Sequence, residues 1–366
     1  MRPSLARLTL RGFKTIRELK DFEPGRLMLL IGPNGAGKTN FVSFFRMLAR
    51  ALSPPGELQL YVAEQGGASM ILHDGSARTP DLQAAMEIQT DQDRFQFGFQ
   101  LSHAAGDTLV FADEYFELKR GIDVGSRRSG HREAQLIARA ESGESEAGYI
   151  LHILKRVVVH QFHDTSPRSR LRNKWAVDDG KQLKEDGANL APFLYRLRDS
   201  EPKYYQRIRE TIRLILPFFA DFELAVESGY LILRWRERGS DHVFNASQAA
   251  DGMLRIMALV ALLQQPEKDL PAVLILDEPE LGLHPYAIEV LAALTQSASR
   301  HVQVIAATQS VSLIDRFEPH DIVVTERIGK ESTFRRLSDS DLSEWLDKYT
   351  LSELWEKNVL GGRPAR

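Results

Sequence analysis

The stretch Gly32-Pro33-Asn34-Gly35-Ala36-Gly37-Lys38-Thr39 decides how the rest of the chain is read. It fits the pattern GxxxxGK[ST]. Before it runs LMLLI at 27–31, a continuous apolar segment. After it comes NFVSFFRMLARAL at 40–52, with apolar residues at helical spacing, closed by Pro54, Pro55 and Gly56. The order is therefore strand, glycine loop, helix. Glycines let the backbone curl until its N–H groups face one point, and the helix adds the positive end of its dipole, so the loop is built to cradle phosphate. Lys38 is placed to reach β- and γ-phosphates and the Thr39 hydroxyl to ligate Mg²⁺, with Asn40 closing the set. A chance match would occur in roughly one in a hundred unrelated chains of this length. The strand–loop–helix context argues against chance here.

Working outward, the next chemistry lies at VLILDEPE, residues 273–280. Four apolar residues form a buried strand, and Asp277 and Glu278 emerge at its carboxyl end, where open α/β sheets bind ligands. Asp277 suits a Mg²⁺ contact, direct or through water. Glu278, a neighbouring carboxylate not tied to the metal, suits orienting and polarising the attacking water. An ordinary acidic loop after a strand is the bland alternative, and the glycine loop weighs against it.

Between and beyond these motifs the pattern alternates. LARLTL at 5–10 reads as a strand. Residues 84–119 read as a meander of four short strands, AMEIQT, RFQFGFQL, TLVFA and EYFELK. Residues 121–147, rich in Gly, Ser and charge, read mainly as a loop. LKRVVVHQF reads as a buried strand, 186–218 as a helical stretch, and FELAV, YLILRW and HVF as strands. From 251 onward the reading is helix, strand (AVLIL), helix (PYAIEVLAALTQSA), strand (VQVIAAT), short helix (SLIDRF) and strand (DIVVTER), with GGRPAR as a loose tail. The strands without alternation are those of a parallel sheet buried on both faces.

Bulk properties set limits. The 366 residues carry 47 basic and 50 acidic side chains, a net charge of −3, so no global basic field draws in nucleic acid. DNA contact would need a local patch, and Arg168, Arg170, Arg172 and Lys174 in TSPRSRLRNK are the candidates, against a simpler reading as a solvated basic loop. The absence of cysteine rules out disulfides and thiolate metal sites. No apolar run reaches membrane-span length and the first residues lack a signal-peptide core, so a soluble cytoplasmic protein with no membrane partner is expected. His160, His163 and Asp164 have weak metal-site spacing and read better as polar groups near the nucleotide.

LDEPE followed by LGLHP at 276–285 resembles the Walker B and D-loop segment of ABC-type ATPases, among them stand-alone bacterial predicted ATPases related to RecF, SMC and OLD heads. TLRGFKTI at 9–16, HQFHDTSP at 160–167, ADGMLR at 250–255, ATQS at 307–310 and ELWEKNVLGGRP at 353–364 extend the likeness along the chain. The resemblance implies a signature loop at Asp251 and Gly252, capping the γ-phosphate bound to a second copy. The usual serine is replaced by Ala250, which leaves one γ-phosphate hydrogen bond absent unless Ser247 substitutes. It implies a γ-phosphate sensor at Gln309, where such heads usually carry histidine, and a Q-loop metal contact at Gln161. A glutamine amide donates a hydrogen bond but carries no charge, which points to slow turnover.

The expected fold is α/β, a P-loop NTPase of ABC-ATPase type with an antiparallel β subdomain and a helical/β lid. Residues 1–165 with 265–366 are expected to form the nucleotide-binding lobe, and 166–264 the lid. The resemblance implies an ATP- and Mg²⁺-dependent switch. It would form a homodimer on ATP and serve DNA repair or anti-phage defence beside a separate effector protein, with DNA left open as a partner. The rivals are an ATP-gated scaffold that does not hydrolyse and the ATPase subunit of a transporter.

Overall fold

The structure, a computed structural model, describes residues 2–361 apart from 92, 119–121, 124–129, 339–341, 343–344 and 346–347. The tail 362–366 lies outside the described residues. Its centre is a six-stranded sheet in the order β17 (Glu331–Arg336), β16 (Ile322–Ile328), β3 (Leu27–Ile31), β15 (Gln303–Thr308), β14 (Val273–Asp277), β8 (Val157–His160). All neighbours pair in parallel except β16 and β17, which form a hairpin.

The apolar runs that show no alternation are explained by what lies on either side. Leu27, Leu29 and Ile31 of β3, with Leu274, Leu276, Val304 and Ala306, enter one core. Met28 and Leu30, with Val273, Ile275, Ile305 and Ala307, enter the other. Successive side chains of a strand point to opposite faces, so a sheet sandwiched between two cores needs an apolar residue at every position.

One core is closed by a second, antiparallel sheet in the order β2 (Ile16–Phe22), β1 (Ser4–Phe13), β4 (Asp81–Gln89), β5 (Arg94–Ala104), β6 (Thr108–Leu118), β7 (Ile122–Asp123). Helices α1 (Lys38–Ala51), α2 (Glu57–Glu64) and α3 (Ala68–Ile71) contribute to the same core. Gln303 joins the two sheets. Its amide accepts from the Leu5 N–H (2.8 Å) and donates to the carbonyls of Leu5 (3.0 Å) and Gly25 (2.5 Å), replacing a missing strand partner. The expected strands TLVFA and EYFELK are one strand, β6. A register shift opposite it, between Gln100 and Leu101, absorbs the polar interruption.

Residues 121–147 depart from the expected loop, although 121 and 124–129 lie outside the described residues. The described part holds strand β7 followed by helix α4 (Gln135–Glu141) and the start of α5 (Ser145–Leu154). No local side chain caps α4. The carboxylate of Glu114 on β6 does so, accepting from the N–H groups of Gln135 (2.7 Å) and Leu136 (2.9 Å).

The opposite core takes the expected helical stretch as two helices, α6 (Leu190–Ser200) and α7 (Pro202–Ile215). Pro202 starts the second because proline fits a helix's first turn and not its interior. Two small sheets follow, β10 (Phe219–Phe222) with β12 (Arg234–Glu237) and β13 (Val243–Asn245), and β9 (Trp175–Ala176) with β11 (Tyr230–Leu231). Helices α8 (Asp251–Leu263), α9 (Pro285–Ser299), α10 (Val311–Ile314) and α11 (Leu351–Glu356) complete it. The architecture is the expected α/β head with an antiparallel β subdomain and helical/β elements opposite. Among the described residues, no helix is long and apolar enough to cross a membrane.

Candidate functional site

Parallel pairing brings the carboxyl ends of four strands to one edge. Thr308 pairs with Ile31, Asp277 with Ala307 and Leu276 with His160, so the residues that follow, Gly32, Gln309, Glu278 and Gln161, emerge together. Gly32 has φ 154° and Gly37 φ 116°. A Cβ at the first would overlap the Thr325 carbonyl oxygen, and at the second the Ser332 hydroxyl. At these two positions glycine is required by close packing as well as by φ.

Hydrogen bonds lock the loop from behind. Asn40 Nδ2 donates to Thr15 Oγ1 (2.7 Å), Thr15 and Ser332 share a hydroxyl contact (2.6 Å), and Ser332 donates to the Ala36 carbonyl (2.6 Å). Asn40 thus braces the loop. Asn34, Gly35 and Thr39 are exposed at its rim, and Pro33 is half-buried. Helix α1 starts at Lys38 with no side-chain cap and no acidic residue in its first turn, so its leading N–H groups are free to meet an anion.

Lys38 is buried and donates from Nζ to the carbonyls of Gly32 (2.6 Å) and Pro33 (3.1 Å). Burial pulls its pKa down, and the carboxylates of Glu278, Glu280 and Asp277 oppose that pull. An ammonium resting on loop carbonyls, with acids facing it, can be redirected to phosphate.

Opposite the loop, Asp277 ends β14 and is 4 % exposed. Arg46 Nη2 lies 3.1 Å from its Oδ2 and also donates to Gln161 Oε1. Gln161 Nε2 donates to His163 Nδ1 (2.6 Å), and His163 Nε2 donates to the Asp277 carbonyl (2.9 Å). In this pattern Nδ1 accepts and Nε2 donates. Burial raises the Asp277 pKa, and Arg46 is the largest opposing influence.

Glu278 has φ 43°, a left-handed backbone that is rare for a glutamate and concentrates at functional positions. Its N–H donates to the Ala307 carbonyl (2.8 Å), and its carboxylate accepts from Gln309 Nε2. Gln309 is in turn fixed by Glu280, which accepts from the Gln309 N–H (3.1 Å) and the Thr308 hydroxyl (2.5 Å). Burial raises the Glu280 pKa.

The structure thus gathers Gly32–Asn40, Gln161, Asp277, Glu278 and Gln309. Asp251 and Gly252 sit on a different contact. A Cβ on Gly252 would stand 2.5 Å from the Gly282 carbonyl, and Arg255 ties the same helix to the carbonyls of Leu281 (3.0 Å), His163 (2.9 Å) and Phe162 (3.1 Å). Asp251 accepts from Arg172 (3.2 Å). The Ser247 hydroxyl donates to Asn245 Oδ1 (2.5 Å).

Arg172 is not a free surface cation. It donates to the carbonyls of Thr165 (2.8 Å) and Ala246, and its side chain is 10 % exposed. Arg170 pairs with Asp186 (3.0 Å) and stacks on Trp175, while Arg168 is exposed. Sequence reasoning missed Arg46 and Glu280. Arg46 stands eight residues after Lys38, about two helical turns, which is the signal that puts it on the same face of α1.

A family model described as "AAA domain, putative AbiEii toxin, Type IV TA system" matches residues 27–315. Among solved structures, the chain is similar to an Smc head bound to the C-winged helix domain of ScpA (TM-score 0.61, 15% identity, 93% of this chain and 99% of that one). It is also similar to an Smc head with an extended coiled coil bound to the C-terminal domain of ScpA, derived from Pyrococcus furiosus (TM-score 0.59, 14% identity, 94% and 99%). A third is an Smc head with a coiled coil and joint from Pyrococcus yayanosii (TM-score 0.55, 13% identity, 94% and 99%). No curated protein gives a significant match.

Proposed function

The chain belongs to the AAA-domain family of that description, and from this premise we propose that it is an SMC/RecF-like ATP-hydrolysing switch whose two copies close on ATP. The observation that carries the proposal is the facing pair: an uncapped helix start with buried Lys38 on one side, and the left-handed Glu278 held by Gln309 on the other.

The residues fit ATP with Mg²⁺. The backbone N–H groups of 32–39 and the Lys38 ammonium would hold the phosphates. Among the described residues, no three His, Asp or Glu side chains cluster to hold a metal alone. That suits Mg²⁺, which is usually bound by one or two protein groups together with substrate phosphates. Thr39 and Asp277, with Gln161 beside them, would be those groups. When bound, the ion neutralises phosphate charge. Glu278 would take the proton of the attacking water, and Gln309 would fix where that carboxylate points.

In this reading 166–264 is the lobe that presents Asp251 and Gly252 to the second copy, giving an isologous contact made twice. The words "toxin" and "Type IV TA system" that describe the matching family favour defence over DNA repair. The two Smc heads solved with ScpA support a partner seated on such a head. A slow or non-hydrolysing scaffold is favoured by one feature, the Gln309 amide engaging the carboxylate that hydrolysis needs free.

ATP turnover by wild type and Glu278→Gln decides between them. The switch predicts at least about tenfold slower turnover in the variant, the low end of a general-base contribution, with ATP binding retained. Equal rates would show that another group positions the water, or that there is no catalysed reaction.

A further inference from the structure

We propose that Arg46 is a resident cation of the metal position, which holds Asp277 and Gln161 while no metal is bound and must be displaced for a divalent ion to reach Asp277. The inference rests on the reading of Asp277 as a metal contact and deepens it.

A single nitrogen, Nη2, bridges both oxygens. It lies 3.1 Å from Asp277 Oδ2 and donates also to Gln161 Oε1. Both oxygens belong to residues read as metal contacts, at the ends of neighbouring strands beside the glycine loop. Mg²⁺ binds oxygen at about 2.0–2.1 Å with near-octahedral demands, so it and a guanidinium cannot share that point, and their charges repel. The Asp277 side chain is 3 % exposed, so its negative charge has little water to fall back on when unpaired.

Arg46 is better placed to leave. Its side chain is 27 % exposed, and it stands at the solvent side of this pair. The Glu185 carbonyl accepts from the Gln161 N–H (2.9 Å), which sets a second acidic residue on the segment beside Gln161. Burial raises the Glu185 pKa, and Arg46 and Arg50 oppose that rise. The remaining polar neighbours do not substitute for Arg46, because both His163 ring nitrogens are engaged and Lys38 rests on the carbonyls of Gly32 and Pro33.

The consequence is selectivity. A lone divalent ion meets an occupied site, and only the ion arriving with phosphates on the glycine loop has enough partners to displace the arginine. ATP without metal leaves Arg46 in place.

The test is Mn²⁺ alone, titrated into the nucleotide-free full chain and counted by the electron paramagnetic resonance of the free ion. Arg46→Gln should bind Mn²⁺ at least about fivefold more tightly than wild type, and adding Asp277→Asn should cancel the gain. Arg46→Met, which keeps helix propensity, is the second neutral variant should the first misfold, and thermal melts identify which is folded. Arg46→Lys, which keeps the charge, should gain less than either. Equal or weaker Mn²⁺ binding in a folded neutral variant overturns the inference. Mn²⁺ binding in the presence of ATP is measured alongside. If Asp277→Asn leaves that unchanged, the reading of Asp277 as a metal contact fails, and the Arg46 inference falls with it. If it weakens binding while the nucleotide-free arm shows no gain, only the Arg46 inference fails.

Discussion

Replacing Lys38 with alanine separates phosphate binding from folding, because the structure gives its two costs different sizes. In the nucleotide-free chain the ammonium donates to the carbonyls of Gly32 and Pro33. A net hydrogen bond contributes about 1 kcal/mol, but burying the ammonium costs a comparable amount, which is why its pKa is pushed down. Fold stability should therefore change by no more than about 1 kcal/mol. Against phosphate the balance differs. A charge-assisted hydrogen bond is worth about 1.5–3 kcal/mol, and a unit charge pair at 4 Å adds up to about 4 kcal/mol at an effective dielectric of 20. After allowing for the two carbonyl bonds that must break, a loss of about 3 kcal/mol is expected, more than a hundredfold in affinity. Calorimetric titration of ATP with Mg²⁺ into Lys38→Ala measures it, with a thermal melt confirming the fold. An ATP affinity within threefold of wild type would refute the assignment of 32–39 as the phosphate cradle.

Further outcomes follow from the same contacts. Glu278→Gln with ATP and Mg²⁺ should run as a closed dimer and with ADP as a monomer. Gly252 is a poor probe of that closure because its open side faces the Gly282 carbonyl. Exposed Ala250 is better, and Ala250→Tyr should block closure with nucleotide affinity nearly intact. If neither mass nor the distance between labelled heads responds to ATP, the switch is wrong. If the basic loop touches DNA phosphates, replacing Arg168 and Arg170 should flatten the salt dependence of binding, and an unchanged slope would return it to a solvated loop. Arg172 should be left alone, since its removal would strip the carbonyls of Thr165 and Ala246. Buried His160 has its pKa lowered to about 4, so it folds neutral, and its stabilisation is complete above the unfolded value of 6.5 and lost as pH falls through 4. Between those limits the chain should lose up to roughly 3 kcal/mol, less in His160→Gln. Parallel pH curves in metal-free denaturant titrations would argue against that role.

What was legible in the sequence is what a single local rule decides. The runs LMLLI, VLILD and QVIAAT read as buried parallel strands because both faces of each enter a core. Strands buried less regularly did not read. IRELKDF forms β2 with only Ile16 and Leu19 buried, and ESTFRR forms β17 with Ser332 as its most buried residue. Helix α4 was invisible for another reason. Its cap is Glu114, more than twenty positions upstream on a different element, and nothing between 121 and 135 advertises it.

The site divides the same way. The glycines, Lys38, Asp277 and Glu278 announce themselves because each is fixed by its neighbours in sequence. The residues that set how they act come from elsewhere: Ser332 and Thr15 behind the loop, Arg46 on Asp277, Glu280 under Gln309. This bears on the substitution of glutamine for histidine at 309. A charged sensor would draw on a titrating group, whereas Gln309 has only geometry, and that geometry is imposed at both ends by Glu280 and Glu278. Turnover then depends on whether Glu278 can exchange the Gln309 amide for water. Glu280 governs that exchange without touching either partner of the reaction. Glu280→Gln, which keeps the shape but weakens the hold on the Gln309 N–H, should change the rate of hydrolysis with little effect on ATP affinity. A variant that lost ATP affinity and turnover together would instead make Glu280 part of the binding surface.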